Sequence, residues 1–137
     1  MKRKEAEEKT IFVIYDVILY TEMGKVVDLE SMISGICGAP YEKVDPFIKR
    51  MTIAALKHMQ EIIPVYEKHM RGWVWSRLDH LEQALLLFSY CHYFYGIEDT
   101  DRKIVINVAV EFAKEYLDAK AKGFVNAILD KVLVKNA

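Results

Sequence analysis

The chain has 137 residues, 53% of them hydrophobic and 28% charged, and a formal net charge of -1. That is enough apolar material for one domain to fill a core without disulfides. The near-neutral balance excludes nucleic-acid binding through total charge and leaves only local basic patches. The two cysteines, Cys37 and Cys91, lie far apart and form no CxxC pair, which suits buried thiols in a reducing cytosol.

Met1, Lys2, Arg3 and Lys4 lead straight into Glu5, Glu7 and Glu8 with no apolar stretch between. No signal peptide and no membrane span are expected, and the protein is expected in the cytoplasm. Ile11, Ile14, Tyr15, Ile18 and Leu19 follow at the spacing of one helical face, predicting a helix from about Lys4 to Leu19. The cations at its head are placed to meet a polyanion; the alternative is a solvated, frayed terminus. Thr21 to Lys25 reads as a loop. Asp28 is a candidate N-cap for a short helix that ends at Gly38.

Asp45 followed by Pro46 is a strong helix start. Phe47, Met51, Ala54, Ala55, His58 and Ile62 line one face of that helix. Pro64 is expected to break it, leaving a shorter helical piece over Val65 to Met70 at a new angle. Trp73 and Trp75 mark an aromatic hinge, with Trp75 and Tyr95 expected to be partly exposed. Ser76 is read as the cap of the next helix, Arg77 to Tyr95. From Ala84 onward that helix is interrupted only by Ser89 and His92. A helix with no polar face must be jacketed by other segments. Asp99 or Thr100 is the expected cap of the next helix, whose stripe is Val105, Val108, Ala109, Phe112, Ala113 and Tyr116. Phe124, Val125, Ile128, Leu129 and Val132 define the last one. No segment alternates with period two for long enough to predict a strand. The expected architecture is all-α. It has about seven helices in two antiparallel sub-bundles, roughly 1–72 and 73–137, around a buried central helix.

The search for chemistry comes back empty. His58, His69, His80 and His92 form no i, i+4 pair, there is no HExxH, and no phosphate loop or GxSxG is present. Cys91 and His92 are adjacent, which on a helix turns their side chains about 100° apart. Glu111 with Glu115 reads as a solvated charged face beside Lys114. Neither catalysis nor a cofactor or metal is expected. Asn107 and Asn126 stand out as amides near the starts of apolar helices. They are expected to be buried and to tie down neighbouring helix ends.

The last stretch, GFVNAILDKV over residues 123–132, resembles the closing motif of the transcription antitermination factor NusB family, which reads close to KFVNGVLDKI. Val105, Ile106 and Asn107, followed by Val110 to Lys114, are similar to a second motif of that family. Trp75, Arg77 and Leu78 are similar to its junction region, and Ala6, Glu7, Glu8, Ile11, Ile14 and Tyr15 to its opening helix. The resemblance implies a non-enzymatic factor. It would bind a NusE-like small-subunit ribosomal protein and boxA-type RNA in ribosomal RNA leaders, and act within the RNA polymerase antitermination complex. It also implies roles: Lys2, Arg3, Lys4, Lys9, Lys120 and Lys122 toward RNA, and Tyr15, Leu87 and His92 toward the partner. Asn107, Phe124, Asn126 and Asp130 would be structural motif residues. Some positions depart from the family pattern. Glu7 stands where the family has arginine, Leu87 where it has arginine, and His92 where it has glutamate. Val108 replaces a glutamate and Ala127 a glycine. Glu7 is expected to weaken RNA contact by repulsion. Apolar Leu87 and Val108 motivate the alternative: a homodimer or protein-docking module that kept the fold and lost RNA.

Overall fold

The computed structural model describes residues 1–135. Six α-helices follow one another: α1 (Arg3–Glu22), α2 (Leu29–Cys37), α3 (Pro46–Glu67), α4 (His80–Phe94), α5 (Arg102–Tyr116) and α6 (Ala119–Val132). Short 3₁₀ turns, Tyr41–Lys43 and Trp75–Arg77, precede α3 and α4, and no strand occurs among the described residues. No helix there is long and apolar enough to cross a membrane.

Aspartates start five of the helices. Asp28, Asp45, Asp79, Asp101 and Asp118 each accept a hydrogen bond from a backbone N–H of the first turn, and each such cap stabilises its helix by about 1 kcal/mol. Asp28 and Asp45 match the sequence reading. Asp79 replaces Ser76 as the cap of α4, because Trp75 to Arg77 wind into the 3₁₀ turn. Gln83 holds that turn by donating from Nε2 to the Trp75 carbonyl at 2.9 Å. Asp101, not Asp99 or Thr100, caps α5. Gly38 ends α2 with φ 64°, a left-handed conformation that favours glycine.

Pro64 does not break α3, which continues to Glu67, so the separate Val65–Met70 helix is absent. Proline in a helix interior costs about 3 kcal/mol. On either side of it Ile62 and Tyr66 are wholly buried, and the Tyr66 hydroxyl donates to the Leu86 carbonyl of α4 at 2.6 Å. Burying two such side chains stabilises by about 1.5–3 kcal/mol each, which outweighs the lost bond.

The apolar α4 lies against α1, α3 and α5, and α5 in turn against α6. Ala84 to Phe88 and Cys91 are fully buried. The jacket opens toward the C-terminal end of α4, where Tyr90, Tyr93, Phe94 and Tyr95 are half-buried. The main core takes residues from α1, α3, α4, α5 and α6, on both sides of residue 72. A smaller cluster of Ala6, Val13, Ile33, Val44 and Ile48 seats α2. Three expectations are corrected. Trp75 is buried, because it packs on Tyr66 at 5.7 Å between ring centroids. Leu87 is fully buried among the core leucines and cannot be a partner contact. Asn107 and Asn126 are exposed, since α5 and α6 turn their apolar stripes inward and both amides fall on the other face.

Candidate functional site

The basic residues of the N-terminus are not equivalent. Lys2, Arg3 and Lys4 sit at the exposed first turn of α1. The Arg3 guanidinium lies over the Phe47 ring of α3, 4.0 Å from its centroid, an arrangement that fixes a side chain which would otherwise be mobile. Lys4 reaches Glu115 at 3.6 Å across open solvent, a pair too exposed to hold it. Lys9 is already engaged. Its ammonium donates to the Ile36 carbonyl at the end of α2, at 3.1 Å, where the helix dipole favours a cation.

Glu7 is turned inward, into a cleft, rather than standing on the exposed basic turn. Its carboxylate approaches His92 Nε2 of α4 at 3.9 Å, with both side chains buried. Two of the departures from the family pattern therefore face each other. Burial pushes the Glu7 carboxyl upward against the pull of Arg3. Burial, helped by Arg3, pushes the His92 imidazole down to about 4. At neutral pH the contact is a carboxyl facing an uncharged imidazole, not an ion pair. His92 Nδ1 is sealed from solvent and has no hydrogen-bond partner among the described residues. As a buried residue, His92 does not form an outer partner surface. Arg3, Glu7, Phe47 and His92 line a cleft of about 610 Å³ whose lip carries Ile97 and Ile104.

A second group gathers at the junction of the 3₁₀ turn, α4 and α6. Lys120 Nζ stands 5.9 Å from the centroid of the Trp73 ring, which is 48% exposed. Both line a cleft of about 480 Å³ together with Arg77, Glu82, Tyr116 and Phe124. Lys122 is half-buried and, two residues on along α6, faces away from Lys120 and does not line this cleft. Glu82 is only 8% exposed, and burial, then Asp79 and Asp118, push its carboxyl up to about 7. Sequence reasoning passed over Glu82, whose only signal is a carboxylate at the head of an apolar helix. The two basic groups adjoin through the end of α5. Glu115 meets Lys4, while Tyr116 packs edge-on against Phe12 of α1 at 5.2 Å and lines the Trp73 cleft.

The remaining expected residues are structural or peripheral. Asp130 accepts from Arg102 Nη2 at 2.7 Å, and Arg102 Nε donates to the Leu133 carbonyl at 2.8 Å. Together they pin the end of α6 to the start of α5, a role for Arg102 that the sequence did not reveal. Tyr15 is half-buried against the main core. Phe124 is half-buried at the Trp73 cleft, and Asn107 lines a smaller groove beside Lys4 and Val108. The Cys91 thiol is fully buried, which pushes it up to about 12. Among the described residues there is no group of three His, Cys, Asp or Glu placed to hold a metal.

The model of the NusB family matches residues 9–134. The transcription antitermination protein NusB of an Exiguobacterium species is 29% identical over 133 residues, covering 97% of this chain and 98% of its own. That of Finegoldia magna is 27% identical, covering 97% of this chain and 94% of its own. Among solved structures, T. maritima NusB superposes with a TM-score of 0.81 at 19% identity, over 97% of this chain and 91% of that one. A chain from the complex of antitermination factors NusB and NusE with double-stranded RNA gives 0.73 at 22% identity, over 96% of this chain and 95% of that one. The fold is that of these structures, and the family match over nearly the whole length shows that the chain belongs to the NusB family of transcription antitermination factors.

Proposed function

We propose that the protein is a non-enzymatic, cytoplasmic RNA-binding antitermination factor. It acts with a NusE-like small-subunit ribosomal protein on boxA-type leader RNA within the RNA polymerase antitermination complex. The observation that carries this reading is the exposed first turn of α1. Lys2, Arg3 and Lys4 stand free of buried partners there, and Arg3 is held out on Phe47. Lys120 places a further cation at Trp73. With a net charge of -1 the rest of the molecule adds no general attraction for RNA, so the partner is expected to supply part of the affinity. A fold shared with a NusB chain seen beside NusE and double-stranded RNA supports this assignment.

The alternative, a homodimeric or docking module without RNA, keeps Val108, half-buried at the groove beside Lys4, but not Leu87, which is fully buried. The test is a titration of boxA RNA with and without the host's NusE-like protein, at about 50 mM and about 200 mM salt, the range over which phosphate contacts weaken strongly. Binding is expected to be tighter with the partner and weaker at the higher salt. Absence of binding in every condition would remove the reading.

A further inference from the structure

Arg3 stands over a cleft that is lined mainly by acceptors: besides Arg3 and Arg50 it carries the carboxylates of Glu7, Asp45, Glu98, Asp99 and Asp101. The guanidinium is planar, and one of its faces already rests on Phe47. Arg3 is exposed, so its opposite face is open to a second flat group. Unpaired bases of RNA stack on guanidinium planes as readily as on aromatic rings. Glu7 lines the same cleft, and its carboxylate is an acceptor with Arg3 nearby and the His92 imidazole 3.9 Å away. Beside it is His92, more than nine-tenths buried, with Nδ1 unpartnered. At the lip Ile97 is 76% exposed and Ile104 55% exposed, apolar edges suited to the faces and sugar of a nucleotide. The volume of about 610 Å³ is ample for one nucleotide.

We propose that this cleft admits one unstacked nucleotide of the bound RNA, its base lying on Arg3 and its edge turned to Glu7, and that the arrangement selects guanine. Guanine presents two adjacent donors, N1–H and the N2 amine, which a carboxylate accepts together. Adenine and cytosine offer a single amine beside an acceptor, and uracil a single N–H. Arg3 then reads a base rather than only neutralising phosphate, and Glu7 is a specificity residue rather than an intruder in a basic surface. This rests on the RNA-binding role proposed above.

The experiment uses uridine octamers with one central guanosine, adenosine, cytidine or inosine, titrated into the full chain with the NusE-like protein at saturation. Inosine lacks only the N2 amine. Guanosine is expected to bind about tenfold tighter than inosine, the scale of one bidentate base contact. In Glu7→Gln and in Arg3→Lys that ratio is expected to fall below about twofold, while Arg3→Lys keeps the salt dependence because the charge remains. Arg3 is on the surface, so Arg3→Lys carries the test even if Glu7→Gln fails to fold. Equal affinity for all four octamers, or a guanosine preference that survives both substitutions, overturns the cleft and leaves the RNA role standing. No binding of any octamer, with none of boxA RNA, overturns both.

Discussion

Glu82 offers the sharpest test of the packing, because its environment acts against its charge. It is 8% exposed on α4, flanked by Asp79 and Asp118, and its carboxyl is pushed up to about 7 from the usual 4.5. An acid whose pKa is raised on folding binds more protons folded than unfolded through that interval. Its contribution is therefore complete below about pH 4.5 and is lost as pH rises toward about 7. At about 1.4 kcal/mol per pH unit, the ionised form costs the fold at most about 3.5 kcal/mol. The cleft beside it lets water approach, so about 1–2 kcal/mol is the expected figure. Glu82→Gln keeps the shape and removes the charge. Urea denaturation followed by circular dichroism should show Glu82→Gln more stable than the wild type by about 1–2 kcal/mol at pH 8 and equal to it near pH 4. A variant less stable at pH 8, or a difference that does not change with pH, would refute the assignment of a desolvated, unpaired carboxyl.

Pro64→Ala should stabilise the protein by about 1–2 kcal/mol, measured in the same way, because alanine restores a donor to the Gln60 carbonyl and tolerates the helix. A loss of stability would mean that the proline bend is needed to seat Ile62 and Tyr66. Leu87→Ala should cost about 2–5 kcal/mol as a core cavity, against less than about 0.5 kcal/mol for Val26→Ala at an 89% exposed site; equal effects would place Leu87 outside the core. Tyr66→Phe should cost about 0.5–1.5 kcal/mol, the net value of one hydrogen bond, since the Leu86 carbonyl keeps its helical donor, and an unchanged midpoint would contradict the buried hydrogen bond.

Much of the fold is legible locally. Asp28, and Asp45 with Pro46, announce helix starts because a cap is decided within four residues. The apolar run from Ala84 announces its own burial, since such a helix has nowhere to turn a polar face. Pro64 misleads because its local cost is overruled by Ile62 and Tyr66, whose burial depends on α4 twenty residues further on. Ser76 and Asp79 are equally good caps on paper; the carbonyl that Gln83 grips at Trp75 decides between them. Leu87 is a different kind of error. Its own surroundings point inward, and the expectation of exposure came only from the family resemblance. The site is less legible than the fold. Lys2, Arg3 and Lys4 are visible as a charge cluster, but neither the platform under Arg3 nor the contact of Glu7 with His92 can be read without the crossing of α1, α3 and α4. Arg102 and Glu82 are silent for the same reason, each defined by residues distant in the chain.

The exposed first turn of α1 is the phosphate-binding edge of the proposed RNA surface. Each phosphate contact on a single strand adds about 0.7 to the slope of log affinity against log salt. The decisive measurement is that slope for boxA RNA with the NusE-like partner present, in the wild type and in a variant combining Lys2→Ala, Arg3→Ala and Lys4→Ala. The slope is expected to be shallower by about 2 in the variant, which should still fold because these side chains lie outside the core. A slope that stays the same while the variant remains folded would place the RNA elsewhere on the molecule and contradict the central claim.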